Sequence, residues 1–178
     1  MILLMGLPGS GKGTQGKMLA DERGLHLLSM GDLVRMYVTG ERRKQMLAGE
    51  ILDDGEIIEM IDRVLTTLND DSDCVLDGFP RTIPQAEWLM QQVEAGRFAI
   101  SNVIYLTASH DAVKARLTAR GRLDDKDAVI EQRFKEYQRL TEPVVDWLDA
   151  RGVNVLRIDA ERSTEAVNRD IVEKLNLS

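Results

Sequence analysis

Lys12 closes a glycine-rich run, Gly6-Leu7-Pro8-Gly9-Ser10-Gly11-Lys12-Gly13-Thr14-Gln15, that follows the apolar segment Met1-Ile2-Leu3-Leu4-Met5. Backbone free of Cβ atoms can wrap closely round an anion. A helix starting at the end of such a loop adds partial positive charge where its first N–H groups lack partners. With the Lys12 ammonium reaching the same spot, the chemistry is polyphosphate binding. The spacing of Gly6, Gly11 and Lys12 fits the Walker phosphate-loop pattern with one departure: Gly13 follows the lysine, and the hydroxyl comes one place later, at Thr14.

A second group of chemically capable residues stands in Asp77-Gly78-Phe79-Pro80-Arg81-Thr82-Ile83-Pro84-Gln85. Asp77, directly behind an apolar run, is placed to hold water on a Mg2+ carried by phosphates. Arg81 offers a planar, permanently charged fork for a phosphate. Gln85 carries both a donor and an acceptor, as recognition of a base edge requires. Arg116 and Arg120 lie one helical turn apart, Arg122 follows Gly121, and Arg133 lies beyond Asp124-Asp125. Any one of these alone reads as a solvated helix arginine. Four flanking a short charged insertion in an acidic chain read as an anion site.

These groups need a frame that brings them together. Short apolar runs near 1–5, 25–29, 74–77, 102–107 and 153–158 alternate with amphipathic helical stretches. That order predicts an α/β fold, a five-stranded parallel sheet with helices on both faces. Open α/β sheets bind ligands outside the carboxyl ends of their strands. The glycine loop follows the first strand and Asp77 follows what reads as the central one, so both fall at that edge. The helix after the loop should end at Gly24. Asp53 with Glu56 reads as a capping box ahead of an apolar face of Ile57, Ile61, Val64, Leu65 and Leu68. Ser109 caps the helix bearing Arg116 and Arg120, Gly121 ends it, and Pro143 starts a further helix that stops at Gly152. Two charged insertions break the rhythm. One, between Asp32 and Asp53, reads as two short helices with Gly49 ending the second; the other runs from Arg120 to Asp125.

Bulk properties bound the function. The 178 residues suffice for one domain that buries roughly 70% of the unfolded chain's surface. A net charge of −7, from 23 basic and 30 acidic residues, argues against a nucleic-acid backbone or an anionic membrane as partner. Cys74 is the only cysteine, which rules out an intramolecular disulfide or a zinc site of several thiolates, and it reads as a small buried strand residue. The opening apolar run is too short for a signal peptide or a membrane span, so a cytoplasmic location is expected.

Taken together, Gly-x-Pro-Gly-x-Gly-Lys-Gly-Thr-Gln, Ser29-Met30-Gly31-Asp32-Leu33-Val34-Arg35, the Asp77 to Ala86 segment and the arginines with Asp124-Asp125 resemble adenylate kinase. The resemblance is collinear over nearly the whole chain. It implies a single P-loop nucleotide kinase domain over 1–178, with a monophosphate-binding subdomain over 29–58 and a lid over 120–126. The implied reaction moves the γ-phosphoryl group of ATP onto AMP, with Mg2+ on the nucleotide and no zinc, in a monomer. Carried over by position, it puts Gly9, Ser10, Gly11, Lys12, Gly13 and Thr14 on the ATP phosphates. Arg116 falls against the ATP adenine, Arg120 on its phosphates and the Arg162 main chain near its base. On the acceptor side it puts Arg35, Arg81, Arg122 and Arg133 around the monophosphate and Gln85 on its base. Met30, Glu50, Ile51 and Leu52 fall beside that base, and Gly78, Phe79 and Pro80 line the same pocket. The catalytic set is Lys12, Arg81, Arg120, Arg122 and Arg133, with Asp77 reaching Mg2+ through water.

Three departures stand out. Met30 replaces the threonine usual in the family, which removes a hydroxyl from the acceptor base pocket. The segment from Arg35 to Gly49 is several residues shorter than usual. The lid is reduced to Gly121-Arg122-Leu123 between Arg120 and Asp124. A kinase for CMP, UMP or a deoxynucleotide, a non-catalytic nucleotide-binding regulator and a small-metabolite kinase are the alternatives. A GTPase would need an Asn-Lys-x-Asp segment, which the chain lacks.

Overall fold

A computed structural model of the chain describes residues 1–48, 52–67, 73–122 and 125–177. The opening run forms β1 (Ile2–Gly6), buried throughout. Its side chains alternate between two apolar layers: Leu3 and Met5 join one core cluster, Ile2 and Leu4 the other. A strand buried on both faces must be apolar at every position, which is why the segment shows no polar alternation.

The remaining strands are β2 (His26–Ser29), β3 (Cys74–Asp77), β4 (Asn102–Thr107) and β5 (Val155–Asp159), all parallel in the order β2-β3-β1-β4-β5. The middle strand is therefore β1 and not β3. From β1 the chain crosses to the edge strand β2 and returns to β3 beside β1, then crosses to β4 and β5 on the other side, so sequence order and spatial order differ. A crevice forms where those directions diverge, at the carboxyl ends of β1 and β3. Cys74, 2% exposed, packs as a core residue of β3.

The helices are α1 (Lys12–Arg23), α2 (Met30–Tyr37), α3 (Gly40–Leu47), α4 (Asp54–Thr67), α5 (Ile83–Glu94), α6 (His110–Arg120), α7 (Asp127–Glu136), α8 (Glu142–Asp149) and α9 (Thr164–Leu177). One core layer gathers residues of α2, α4, α5 and α8; the other gathers those of α1 and α9. A satellite cluster of Val113, Leu117, Ile130 and Phe134, with Leu7 against it, ties α6 and α7 to the glycine loop.

Caps fall where the side-chain chemistry directs them. Gly24 ends α1, Gly121 ends α6, and Ser109 Oγ accepts from the Ala112 N–H. Asp53 Oδ1 accepts from the Gly55 and Glu56 N–H groups, at 3.0 and 3.3 Å. The reciprocal half of that capping box is replaced, because the Glu56 carboxylate takes the Arg42 guanidinium of α3, with Nε at 2.7 Å. Pro143 does not open an independent helix. α7 runs through one π-helical turn, Tyr137–Thr141, straight into α8. The wider turn just ahead of Pro143 is where the backbone adjusts to a residue without an N–H and with a ring that crowds the preceding turn.

Candidate active site

The glycine loop is shaped by what packs beneath it. Gly9 has φ +90°, and a Cβ there would meet Leu117 Cγ at 2.8 Å and the Val113 carbonyl at 2.9 Å. Only glycine lets the loop sit against α6 in this way. Lys12 Nζ reaches back across the loop and donates to the Gly6 and Leu7 carbonyls, at 2.8 and 2.9 Å. Burial lowers its pKa from 10.5 to about 8; Asp77 opposes the shift, while Arg81, Arg120 and Arg133 add to it. Ser10, 2% exposed, lines the cleft with an Oγ that has no hydrogen-bond partner. An orphaned polar group inside a phosphate-shaped loop fits a ligand oxygen.

Asp77 pairs in register with Leu4 of β1 and Ser29 of β2, so its carboxylate stands at the strand ends beside the loop. A Cβ on Gly13 would lie 3.8 Å from Asp77 Oδ2. The next residue, Gly78, has φ +83°, and a Cβ there would come within 2.9 Å of Arg81 Nη2. Arg81 Nε donates to the Gly78 carbonyl at 2.8 Å, and the Arg81 carbonyl accepts from Thr141 Oγ1 at 2.9 Å. The arginine is thus folded over its own loop and held from the π-helical turn.

Asp125 gathers the arginines of the second insertion. It takes Arg120 Nε and Nη2 on its two oxygens, at 2.8 and 2.7 Å, and accepts from the Arg122 N–H at 3.0 Å. Arg133 Nη1 lies 3.5 Å away, and the Asp125 side chain has no solvent exposure. Burial would raise its pKa, but the hydrogen bonds from Arg120 and the Arg122 N–H outweigh that and hold the carboxyl below the ordinary 3.8. Arg116 Nη2 donates to the Ala160 carbonyl at 2.8 Å, Arg35 pairs with Asp32, and Arg162 pairs with Asp159 and Asp170.

These groups line one cleft of about 1030 Å3, large for a single small ligand. Gly9 to Thr14, Asp77, Gly78, Pro80 and the arginines 35, 81, 116, 120, 122, 133 and 162 all face it. Among the described residues nine basic side chains line the cleft against four acidic ones, the reverse of the balance in the whole chain. Beside it opens a smaller cavity of about 70 Å3 whose lining includes Met30, Leu52 and Gln85. Gly31, Arg35, Gly78, Arg81 and Arg133 line both cavities. Phe79 is not brought to either; its ring is fully buried, edge-on to Trp88 at 6.0 Å. Glu50, Ile51, Leu123 and Asp124, like Gly49 and Leu68, lie outside the described residues.

The oxygen donors of the cleft, the Asp77 carboxylate beside the loop and the Thr14 hydroxyl, are hard ligands of the kind a phosphate-borne Mg2+ takes, directly or through water. Among the described residues no group of three or more His, Cys, Asp or Glu side chains is arranged to hold a metal, and a cation held chiefly by phosphates needs none.

Sequence reasoning named the cations but missed the residues that aim them. Asp125 was visible only as half of an acidic pair, Thr141 only as the residue two before Pro143. Nothing local marks Asp54, which accepts from both Thr82 Oγ1 and Gln85 Nε2.

Comparison with known proteins bears directly on this cleft. A family model described as adenylate kinase matches residues 4–153. An adenylate kinase of Synechococcus sp. strain WH7803 is 37% identical over 172 residues, covering 93% of each chain. One of Corynebacterium urealyticum is 34% identical over 94% of each, and one of Nitrobacter winogradskyi is 35% identical over 99% of this chain and 93% of its own.

Proposed function

This chain belongs to the adenylate kinase family, and we propose that its transfer of the γ-phosphoryl group from ATP to AMP, giving two ADP, is carried by Lys12, Arg81, Arg120, Arg122 and Arg133. The observation that carries this assignment is the charge reversal of the cleft, where among the described residues nine basic side chains face four acidic ones in a chain of net charge −7.

In this reading Gly9 to Thr14 cradle the ATP phosphates through backbone N–H groups, and Lys12 exchanges its two carbonyl partners for phosphate oxygens. Arg116, tied to the Ala160 carbonyl, lies against the ATP adenine, with the main chain of Arg162 beside it. The acceptor is held by Arg35, Arg81, Arg122 and Arg133 within a flap over 29–58, its base against Met30, Leu52 and Gln85. Residues 120–126 serve as a minimal lid. Mg2+ bound to the ATP phosphates would neutralise charge and be oriented by Asp77 through water.

An acceptor phosphate with a second pKa near 6 is already largely dianionic at neutral pH, so the protein need supply no general base. What it supplies is in-line placement of two anions that repel each other, and arginines that stay charged whatever their neighbours. Closing of flap and lid keeps water from replacing AMP as acceptor. We read the enzyme as a cytoplasmic monomer. No helix among the described residues is long and apolar enough to cross a membrane.

The test is a coupled assay of ADP formation from ATP·Mg2+ with AMP, dAMP, CMP, UMP and GMP, run on wild type and on Lys12→Met. AMP should give the highest kcat/KM and the variant almost none. A faster pyrimidine monophosphate would overturn the base assignment, and no ADP with any acceptor would favour a regulator.

A further inference from the structure

At the small cavity, the Gln85 side-chain amide is held from two sides. Its Oε1 accepts from the Arg81 backbone N–H at 2.8 Å, and its Nε2 donates to Asp54 Oδ1 at 2.8 Å. A backbone N–H only donates and a carboxylate only accepts, so the two partners admit one orientation of the amide. Reversed, it would set Oε1 against the Asp54 carboxylate and Nε2 against another donor. Asp54 is itself fixed. It opens α4, and the same Oδ1 accepts from Thr82 Oγ1 at 2.7 Å. Gln85 is 1% exposed, so neither wrong pairing would be relieved by water.

These two contacts use one lone pair and one hydrogen of the amide, leaving one lone pair and one N–H of fixed polarity. That pair complements a base edge with a ring-nitrogen acceptor beside an exocyclic amine, such as N1 and N6 of adenine. It opposes the N1–H and 6-oxo edge of hypoxanthine or guanine, which needs the reverse order. Among the described residues Gln85 is the one uncharged polar side chain lining the small cavity, since Met30 brings no hydroxyl.

We propose that Asp54 is a specificity-determining positioning residue: by fixing the polarity of the Gln85 amide it makes the acceptor site select a 6-amino over a 6-oxo base. Asp54 is not among the residues that line either cavity, so it acts through Gln85 without touching substrate. The proposal rests on Gln85 being the group that meets the acceptor base.

The experiment compares AMP with inosine monophosphate, which differs at the edge in question. KM for AMP, the inhibition constant of inosine monophosphate against AMP and KM for ATP are measured for wild type, Asp54→Asn, Gln85→Leu and the double variant. Asparagine can turn its amide to either polarity, so Asp54→Asn should narrow the preference for AMP roughly tenfold or more, with KM for ATP unchanged. The same change should have no further effect in the Gln85→Leu background. Preference is a ratio within one preparation and does not depend on the fraction that is active. Asp54→Ser, which also accepts or donates, carries the same expectation if Asp54→Asn is not recovered folded.

If Gln85→Leu narrows the preference and neither Asp54 variant does, the role of Asp54 is wrong and that of Gln85 stands. If Gln85→Leu leaves the preference intact, the base-contact assignment fails and this inference with it. An equal effect of Asp54→Asn with and without Gln85 would overturn the inference, since Asp54 would then act by another route.

Discussion

Asp125 grips Arg120 along one edge of its guanidinium, with Nε 2.8 Å from Oδ2 and Nη2 2.7 Å from Oδ1. The same carboxylate accepts from the Arg122 N–H and lies 3.5 Å from Arg133 Nη1. The guanidinium groups of Arg120 and Arg133 thus share one buried anion, which also holds the Arg122 main chain before any nucleotide arrives. Removing it leaves like charges without a common partner.

Asp125→Ala should therefore lower kcat on the order of 100-fold, the scale that follows from misplacing reacting groups by about an ångström. Steady-state kinetics with ATP and AMP will show it. A kcat within twofold of wild type would mean that the nucleotide alone aligns these arginines.

The same residue has a pH signature. Its carboxyl is held below the ordinary 3.8, because the Arg120 and Arg122 hydrogen bonds outweigh the opposing effect of burial. The unfolded chain therefore binds the proton at higher pH than the folded one, so the stabilisation is full above about 3.8 and lost as pH falls through the lower folded value. Thermal melts of wild type and Asp125→Asn should differ at pH 6 and converge in strong acid. A gap that widens on acidification would contradict the assignment.

Lys12 gives the opposite kind of titration. The unfolded ammonium keeps its proton to about 10.5 and the folded one only to about 8, so burial disfavours the charged form most below 8 and that cost disappears as pH rises. Bound phosphates reverse this by restoring a charge partner, and ATP phosphates are already fully ionised there. Binding of ATP at pH 8.8 should take up close to one proton. Calorimetry in two buffers of different ionisation enthalpy measures it; identical heats would show that Lys12 does not change state.

Met30 belongs to the buried core cluster at 2% exposed and also lines the small cavity. Met30→Thr should cost about 1–3 kcal/mol through lost burial and an unfilled volume. It should also lower KM for AMP several-fold by adding a hydroxyl at the base pocket. Melting curves and kinetics on one preparation separate the two effects, and an unchanged KM would put the residue outside the acceptor pocket.

Thr141 reaches Arg81 from the π-helical turn, donating to its carbonyl at 2.9 Å. Thr141→Val keeps the shape and removes the donor, so the Arg81 carbonyl loses a partner at a cost of about 1–3 kcal/mol. Activity should fall several-fold through the acceptor, with KM for ATP unchanged. Equal losses toward both nucleotides would instead indicate general loosening.

The lid proposed over residues 120–126 is short, and on that reading it should shield the phosphates incompletely. We expect slow ATP hydrolysis without AMP that is suppressed when the acceptor site is filled. Phosphate release that is negligible under both conditions would sink this idea.

Much of the fold was legible in the chain because it rests on local signals. Strands buried on both faces read as unbroken apolar runs, helices as amphipathic stretches between them, and the glycine loop carries its geometry in its own spacing. The cations of the cleft were legible for the same reason, each standing in or beside a recognisable segment. The caps at Gly24, Ser109 and Gly121 likewise depend only on their immediate neighbours.

The sequence by itself therefore determined the layered α/β class, the phosphate loop and the list of basic groups. Tertiary structure alone decided the polar partners that lie far apart in the chain. Asp54 meets Gln85 and Thr141 meets Arg81 across 31 and 60 residues, and Glu56 turns from its expected cap to Arg42. It also decided that β1 rather than β3 is the middle strand, and that the Phe79 ring belongs to the core. The physical reason is that periodicity records only whether a side chain faces core or water. Hydrogen bonds act over about 3 Å with strict direction, and only the crossovers of a parallel sheet bring such distant partners within that reach.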